Sequence, residues 1–200
     1  MKIVGSLMLV AVLAGAAQTP RAIPPASATE QMYRAAADSA ARKLAHIHQN
    51  GARSKPDPTP TVFTEREINS YVAEGRVKLP NGVRSVQFTG QPGVIQTTTV
   101  IDFDRITEQR GTQNPLLALF TGVHTVHVTA HAQAAGGQAH IHTDAVDIDG
   151  IPVPRMALSY FVDKYVRPKY PEVGLDTTFA LAYKIDTATV GEHQLTVTQK

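Results

Sequence analysis

Hydrophobic and polar positions along this chain follow helical and strand periods in turn, which predicts helices separated by β-rich segments. The helical period is clearest in residues 63–72, where Thr64 and Glu67 have the spacing of a capping box. The apolar face of this segment consists of Ile68, Tyr71 and Val72. The sequence therefore predicts a short helix that begins after Thr64 and closes near Gly75.

An alanine-rich helix is expected ahead of this one, over residues 29–48. Ser27 opens a second capping-box pattern at its start, and Asn50 and Gly51 at its end are residue types that favour the left-handed conformation. Its apolar stripe is narrow and built from small residues, which suits close packing along another surface. Residues 54–60 are rich in proline and predict a stiff, extended linker.

Strand patterns punctuated by glycine and proline follow. Residues 77–88 predict a strand that is interrupted at Pro80. A turn at residues 90–93 then leads into a long strand over residues 94–103. We interpret residues 104–114, which are mostly polar, as a loop.

The most legible hairpin lies between residues 123 and 149, around the two-residue turn of Gly136 and Gly137. A tight turn fixes which residues face each other across the two strands. The expected pairs are Val128 with Ala145, Ala130 with Thr143, and Ala132 with Ile141. The alternation breaks near residues 146–148, so we expect a β-bulge there.

A further helix and a closing hairpin complete the pattern. The helix covers residues 154–165 and ends before Pro168. Its apolar face includes Leu158, Phe161, Val162 and Tyr165. Residues 179–185 and 194–198 are expected to pair with each other, and the fold class is therefore α+β.

Composition then excludes several kinds of function. The chain has 200 residues and a formal net charge of +2, which is too balanced to favour nucleic-acid binding. It contains no cysteine, and this excludes disulfides, thiol catalysis and thiolate metal sites. No phosphate-binding glycine-rich loop and no other cofactor motif is present, so we expect no cofactor.

Residues 1–17 predict a secretory signal peptide. Lys2 supplies the positive charge, an apolar run follows, and residues 14–17 offer small side chains for cleavage. The apolar run is shorter than the roughly 20 residues that a membrane span needs. The alternative to a cleaved signal peptide is that this segment is retained as an anchor. An exported chain of this size without cysteine is typical of a bacterial periplasm, and we expect a soluble periplasmic protein after cleavage.

Several segments beyond the proline-rich linker resemble a known family. The segments are FTEREINSYV, LPNGV, QPGVI, VDIDGIPVP and FALAYKI, which fall between residues 61 and 200. Together they resemble small bacterial envelope proteins of the tubular lipid-binding (TULIP-like) kind, such as YceB-like and LmeA-like proteins. The resemblance implies a long curved antiparallel sheet wrapped around one or two helices, with an apolar groove for acyl chains. It brings no catalytic residues.

The predicted signal peptide and this resemblance, which covers roughly residue 61 to the C-terminus, divide the chain into three parts. Residues 1–17 are the signal peptide, residues 18–60 are a tether with the alanine-rich helix and linker, and residues 61–200 are the α+β lipid-binding-like domain. The lipoprotein members carry a lipid-attachment cysteine that this chain lacks, which favours a freely soluble carrier. We expect a lipid or other apolar molecule as the ligand, and transient contact with a membrane.

The residues themselves also allow an apolar groove between helices and sheet. Small side chains on one face of the long hairpin would leave room for a ligand rather than fill a core. The candidate lining residues are Ile68, Tyr71, Val72, Val126, Val128, Leu158, Phe161, Val162 and Tyr165. The alternative is that the helices close directly on the sheet, since pockets and cores have the same composition.

Histidines form the sharpest polar constellation. His131 and His142 are expected to face each other, with His140 and Asp144 on the same face. Imidazole and carboxylate groups at this spacing are candidates for zinc or copper, although a polar, outward strand face is the simpler interpretation, and we predict no metal site.

We do not expect an enzyme. The sequence has no Gly-x-Ser-x-Gly motif for seryl hydrolysis. Asp147 and Asp149 have the strand spacing of an acid pair, but acidic residues before a glycine more often form the turn. The other alternative is a structural or partner-binding envelope protein that uses the alanine-rich helix for docking.

Overall fold

The computed structural model describes residues 27–107, 121–168, 170–171 and 173–200. The predicted signal peptide, the tether before Ser27, most of the predicted 104–114 loop and the apolar run at residues 115–120 lie outside the described residues. The described part is α+β, with a long antiparallel sheet and an N-terminal helix. The helices are α1 (Ala28–Gly51), α2 (Glu65–Ala73), α3 (Phe103–Thr107) and α4 (Arg155–Phe161), and α4 continues as a π-helix (Val162–Val166). The strands are β1 (Thr61–Thr64), β2 (Val83–Gln91), β3 (Val94–Asp102), β4 (Val123–Ala135), β5 (Gln138–Ile148), β6 (Ile151–Pro152), β7 (Asp176–Ala180), β8 (Ile185–Gly191) and β9 (Gln194–Gln199).

The described strands form two antiparallel sheets. The large sheet has the order β2-β3-β4-β5-β6, and β7 pairs with the other half of β5. The small sheet has the order β1-β9-β8. Strand β8 crosses the ends of the large sheet at its hairpin turns, where the Gly93 N–H donates to the Val190 carbonyl and the Gly137 N–H donates to the Asp186 carbonyl. The small sheet therefore closes one end of the large one.

The predicted closing hairpin is correct in its last strand and wrong in its first. Phe179 belongs to β7 in the large sheet, whereas Ile185 begins β8 in the small sheet. Between them, Tyr183 and Lys184 both adopt a φ of 55°, which is the left-handed region. This reversal directs the chain from one sheet to the other, and a pattern of apolar residues alone does not reveal it.

Both predicted capping boxes are present, so both helices begin where the sequence indicates. At α2, the Glu67 N–H donates to Thr64 Oγ1 at 3.2 Å, and the Thr64 N–H donates to Glu67 Oε2 at 2.7 Å. Helices α1 and α2 pack on the small sheet around a core of Ala40, Ile47, Phe63 and Val197. This arrangement places the alanine-rich helix inside the same hydrophobic core as the strands.

The end of α1 differs from the prediction. Neither Asn50 nor Gly51 is left-handed; Gly51 is the last helical residue and Ala52 caps the helix in the right-handed conformation. Glycine is required at position 51 for a different reason, because a Cβ there would overlap the backbone of Tyr183. Buried Asn50 Nδ2 donates to Gln199 Oε1 at 2.9 Å and so ties the helix to the C-terminal strand.

The predicted strand over residues 77–88 begins later than expected, at Val83. The Val83 N–H donates to the Pro80 carbonyl, and Gly82 has a φ of 89°, so the segment before Val83 is a turn rather than an interrupted strand. At the other end of this strand pair, Phe103 opens α3 instead of ending β3. The short helix α3 also replaces the start of the predicted polar loop.

The long hairpin has the predicted turn. Its register agrees with the prediction from the turn back to Ala130 and differs by one residue between Ala130 and the start of β4. Ala130 pairs with Thr143 and Ala132 with Ile141, as predicted, whereas Val128 pairs with Val146 rather than Ala145. The bulge leaves Asp144 without a strand partner. The bulge therefore lies two residues before residues 146–148, where it was predicted. It moves Val146 onto the same face as Ile141, and burial of both aliphatic side chains is the physical reason for it.

Candidate functional site

One face of the large sheet is apolar across several adjacent strands. The register identifies its members, because residues that pair directly across antiparallel strands project from the same face. Thr97 thus shares a face with Phe88 on β2 and Val128 on β4, and Val128 shares it with Val146 on β5. We call this the apolar sheet face, and its aliphatic and aromatic members include Val86, Phe88, Ile95, Ile101, Val126, Val128, Ala130, Ala132, Ile141, Val146, Ile148 and Phe179.

Most of the apolar sheet face is only half covered. Among its members, Val126 and Ala130 are buried, at 7% exposure each, and so is Ala139, which pairs with Phe179, at 6%. Every other member in the set above is half-buried. A sheet packed solidly under helices buries its central aliphatic side chains almost completely. The face therefore retains accessible apolar surface in the described part of the chain.

Aromatic rings from the sheet and from α4 meet at the far end of this face. The Phe103 ring centroid lies 6.4 Å from that of Phe161 and 5.8 Å from that of His124. Phe161 in turn lies 5.3 Å from Tyr165 in the π-helix. The Tyr165 residue is 6% exposed, and its hydroxyl has no hydrogen-bond partner among the described residues. α4 and the π-helix therefore cover one end of the face and bring an unpaired buried donor to it.

The structure divides the predicted groove residues between two places. Val126 and Val128 lie on the apolar sheet face, and Phe161 and Tyr165 are in contact at its end. Leu158 and Val162 are half-buried on the same helical segment. Ile68 and Tyr71 instead pack against the core beneath α1 and α2, and Val72 is buried on α2. Two of the three predicted lining residues on α2, Ile68 and Tyr71, thus face the small-sheet core.

A polar, open cleft lies at the start of α2, and the sequence reasoning missed it. It encloses about 620 Å³ and is lined by Tyr33, Thr64, Glu65, Arg66, Asn69, Gln87 and His193. Glu65 accepts from the Gly90 N–H at 3.2 Å and lies 2.7 Å from His193 Nδ1. The Glu65 carboxylate raises the pKa of His193. The only sequence feature that relates to this cleft is the capping box, because it determines where α2 begins.

The predicted histidine constellation forms on the opposite, polar face of the sheet. His131 and His142 pair across the strands, and His131 Nδ1 lies 2.7 Å from Asp144 Oδ2. His142 Nδ1 contacts Asp176, and this hydrogen bond is the main reason that the pKa of Asp176 is lowered. His140 instead contacts the hydroxyl of Thr178.

In these contacts, histidine ring nitrogens and aspartate carboxylates are hydrogen-bond partners of each other. Arg155 donates to Asp176 at 2.8 Å and so continues the polar chain to the start of α4. Within the ranges that the structure describes, no group of three histidine, aspartate or glutamate side chains is arranged to hold a metal ion. The constellation is thus a row of hydrogen-bonded histidine and aspartate side chains on a solvent-exposed strand face.

The aspartates considered as an acid pair are part of a turn. Asp147 accepts from the Gly150 N–H at 3.1 Å, and Asp149 accepts from the Thr125 N–H at 2.9 Å. His124 Nδ1 lies 2.5 Å from Asp149, and this hydrogen bond raises the pKa of His124 and lowers that of Asp149. The His124 and Asp149 pair joins β4 to the turn after β5, and no pattern of residues predicted it.

Comparisons with known proteins identify no relative of this chain. No helix among the described residues is both long enough and apolar enough to cross a membrane. No family model matches the chain, no curated protein matches it in sequence, and no solved structure matches its fold.

Proposed function

We propose that this protein binds and carries a lipid or another apolar molecule on the apolar sheet face, beneath α4 and the π-helix. The observation that carries the proposal is the half-buried state of the aliphatic side chains on that face. At about 25 cal/mol per Å² of apolar surface removed from water, a hydrocarbon chain laid along such a face is strongly stabilised. The ligand would cover the apolar surface that the described part of the chain leaves accessible.

The unpaired hydroxyl of Tyr165 supports the same location. A buried donor without a partner costs roughly 1–3 kcal/mol, and a ligand oxygen at this position would remove that cost. The Tyr165 ring packs against Phe161, which in turn contacts Phe103. The combination suits a molecule with a long apolar part and a polar group near one end, which describes a fatty acid or phospholipid.

The proposal includes the TULIP-like architecture and a periplasmic location. A large sheet that curves around the helical segment after β6 would turn the apolar sheet face into a tube wall. A protein exported by the predicted signal peptide and left free in the periplasm would need such a compartment to move a lipid through water. We propose no catalytic activity, because the acidic pair near the site is occupied in a turn.

Neighbouring residues on β4 provide a matched test. Val128 lies on the apolar sheet face, and Thr129 projects from the opposite face of the same strand. In a titration with the fluorescent fatty acid cis-parinaric acid, Val128→Glu is expected to weaken binding by about tenfold or more, because it places a charge against the ligand chain. Thr129→Glu is expected to bind like the wild type.

A second variant separates lost binding from lost folding. Ala132 is a small, half-buried member of the apolar sheet face. Ala132→Phe adds apolar volume without charge, so it should displace the ligand while circular dichroism shows a folded protein. Wild-type protein that takes up no cis-parinaric acid, or equal uptake by all three variants, would refute the proposal.

A further inference from the structure

Side chains from the helices cover the outer edges of two strands, β1 and β2. At β2, Asn69 Oδ1 accepts from the Phe88 N–H at 2.7 Å, and Asn69 Nδ2 donates to the Phe88 carbonyl at 2.8 Å. At β1, Lys43 Nζ donates to the Val62 carbonyl at 2.6 Å. Backbone groups on an uncovered sheet edge can pair with another chain. These two helix side chains therefore occupy groups that would otherwise be available for such pairing.

The edges of β6 and β8 are protected in other ways. β6 has only two residues, and one of them is Pro152, which has no N–H to donate. The outward carbonyls of Asp186 and Val190 on β8 accept from the N–H groups of two turn glycines, Gly137 and Gly93. Short edge strands, proline and covering segments are the usual means by which proteins keep sheets from pairing with each other. Neither edge is therefore open along its length.

The outer edge of β7 has no such protection. The Leu181 N–H donates to the Gly137 carbonyl, so the odd-numbered residues of this segment form the hydrogen bonds to β5. The even-numbered residues of β7 direct their N–H and carbonyl groups away from β5, and these residues are Asp176, Thr178 and Ala180. All three residues are exposed, and within the described ranges no hydrogen bond reaches their outward backbone groups. We call these outward groups the β7 edge.

The sequence of β7 also lacks the features that discourage pairing. The strand reads DTTFA, with neither lysine nor proline, and it pairs with β5 without a bulge. Charged side chains, proline and bulges are the devices that blunt an exposed edge strand. Asp176 is the only charged residue of the strand, and its carboxylate accepts from Arg155 at 2.8 Å. The β7 edge is therefore a regular template for another strand.

We propose that two copies of this protein join through the β7 edge, antiparallel and about a two-fold axis at Thr178. In this register Thr178 faces the partner's Thr178, and Asp176 faces the partner's Ala180. Each facing pair exchanges two main-chain hydrogen bonds, which satisfies every outward N–H and carbonyl group of both strands. No like charges face each other across the axis. The edge is therefore complementary to itself.

A second copy fits this edge better than a free peptide does. In both copies β7 is already extended and held by β5, so the pairing orders no new backbone. A free peptide loses backbone entropy at each residue that it adds to a sheet, and this cost opposes binding to a strand of only five residues. The symmetric pairing also occupies the edges of both copies, so assembly ends at a dimer.

The dimer joins the two large sheets into one. A two-fold axis perpendicular to the sheet keeps equivalent faces on the same side, so the apolar sheet faces of the two copies become continuous. Phe179, at the border of that face, lies opposite the partner's Thr177. This inference goes beyond the proposed lipid binding and does not depend on it, because main-chain pairing requires no ligand.

Sedimentation velocity of the ligand-free protein over a wide range of concentration tests the pairing. The wild type is expected to show a monomer–dimer equilibrium with no larger species. Thr178→Lys places two ammonium groups opposite each other at the axis, which should raise the dissociation constant of the dimer by about tenfold or more. Part of this loss should be recovered at high salt, because salt screens the repulsion between exposed charges.

Ser85→Lys is the matched control. Ser85 is also exposed on an edge strand, but its strand, β2, is covered by the Asn69 side chain. The variant has the same net charge as Thr178→Lys, and it is expected to dimerise like the wild type. Both substituted residues are exposed, so circular dichroism should show that both variants are folded.

The absence of native cysteine allows the register to be tested by cross-linking. Residues that face each other in a hydrogen-bonded antiparallel pair have Cα atoms about 5.5 Å apart, which is within the range that a disulfide spans. Two Thr178→Cys chains are therefore expected to form a disulfide-linked dimer when diamide oxidises the two thiols. Ser85→Cys should remain a single chain on a denaturing gel under the same conditions.

Several results would overturn the proposal. The first is a wild type that sediments as a monomer at every concentration. Another is a dimer that Thr178→Lys does not weaken, or that Ser85→Lys weakens equally, because a different surface then joins the copies. Dimerisation through β7 without uptake of cis-parinaric acid would support this inference and refute the proposed function, whereas uptake by a protein that stays monomeric would do the reverse.

Discussion

The strongest electrostatic prediction concerns Glu67, which holds α1 and α2 together. Its carboxylate lies 2.7 Å from Lys43 Nζ, accepts from Ser39 Oγ at 2.5 Å, and accepts from the Thr64 N–H at 2.7 Å. Burial alone would raise the pKa of Glu67, but the hydrogen bonds from Lys43, Ser39 and Thr64 outweigh it and lower the pKa from 4.5 to about 2. The charged form is therefore strongly favoured in the folded protein.

This pKa difference sets both the size and the direction of the effect. At about 1.4 kcal/mol per pKa unit, reduced somewhat because the Lys43 side chain is partly exposed, the charged Glu67 contributes about 2–3 kcal/mol of stability. The contribution is fully present above pH 4.5, the unfolded value, and is lost as the pH falls toward 2. Glu67→Gln should remove most of it at neutral pH while keeping the side-chain shape.

Urea denaturation followed by circular dichroism measures this directly. Glu67→Gln is expected to lower the free energy of unfolding by about 2 kcal/mol at neutral pH and to flatten its decline between about pH 5 and pH 2. Glu74→Gln, at the exposed end of the same helix, is the matched control and should change neither quantity. A loss below about 0.5 kcal/mol, or an acid dependence identical to the wild type, would contradict the reasoning.

Other consequences of the structure are testable in the same way. Asp149 raises the pKa of His124 above 6.5, so the stability from this pair is present below that pH and is lost as the pH rises through the folded value; His124→Gln should flatten the decline of the melting temperature as the pH rises above 6.5. Gln199→Leu leaves buried polar groups at the end of α1 without their partner and should cost about 3 kcal/mol in urea denaturation. Gly51→Ala forces a methyl group against the backbone of Tyr183 and should cost about 1–3 kcal/mol by the same measurement, whereas a neutral effect would show that the two segments separate freely.

Local signals in the sequence predicted the local parts of the fold. The capping box of Thr64 and Glu67 acts over three residues, and it correctly located the start of α2. The turn of Gly136 and Gly137 likewise fixed the hairpin and its first cross-strand pairs. Each of these features depends on groups that are close in the chain, so neighbouring residues contain all the information that is needed.

Features that depend on distant contacts were not predictable in this way. The bulge at Asp144 exists because it returns Val146 to the apolar side, and that advantage appears only once the face is part of a sheet. The reversal at Tyr183 separates two strands into different sheets, and its position depends on packing against Gly51. The alternation of apolar residues is the same whichever sheet a strand joins.

The candidate site was predictable only in part for the same reason. Val128 and Phe161 have apolar patterns that identify them as inward-facing, and both lie at the apolar sheet face or its end. Ile68 has an equally apolar pattern but packs into the core under α1. Core and cavity linings have the same composition, so only the packing of the whole chain separates them.

A native mass spectrum of the protein, purified under mild conditions from the cells that produce it, tests the central claim most directly. Occupation of the apolar sheet face predicts a folded protein carrying added mass that matches one lipid, which organic extraction releases and Val128→Glu does not retain. A spectrum with only the mass of the polypeptide, together with no uptake of added fatty acid, would contradict the account.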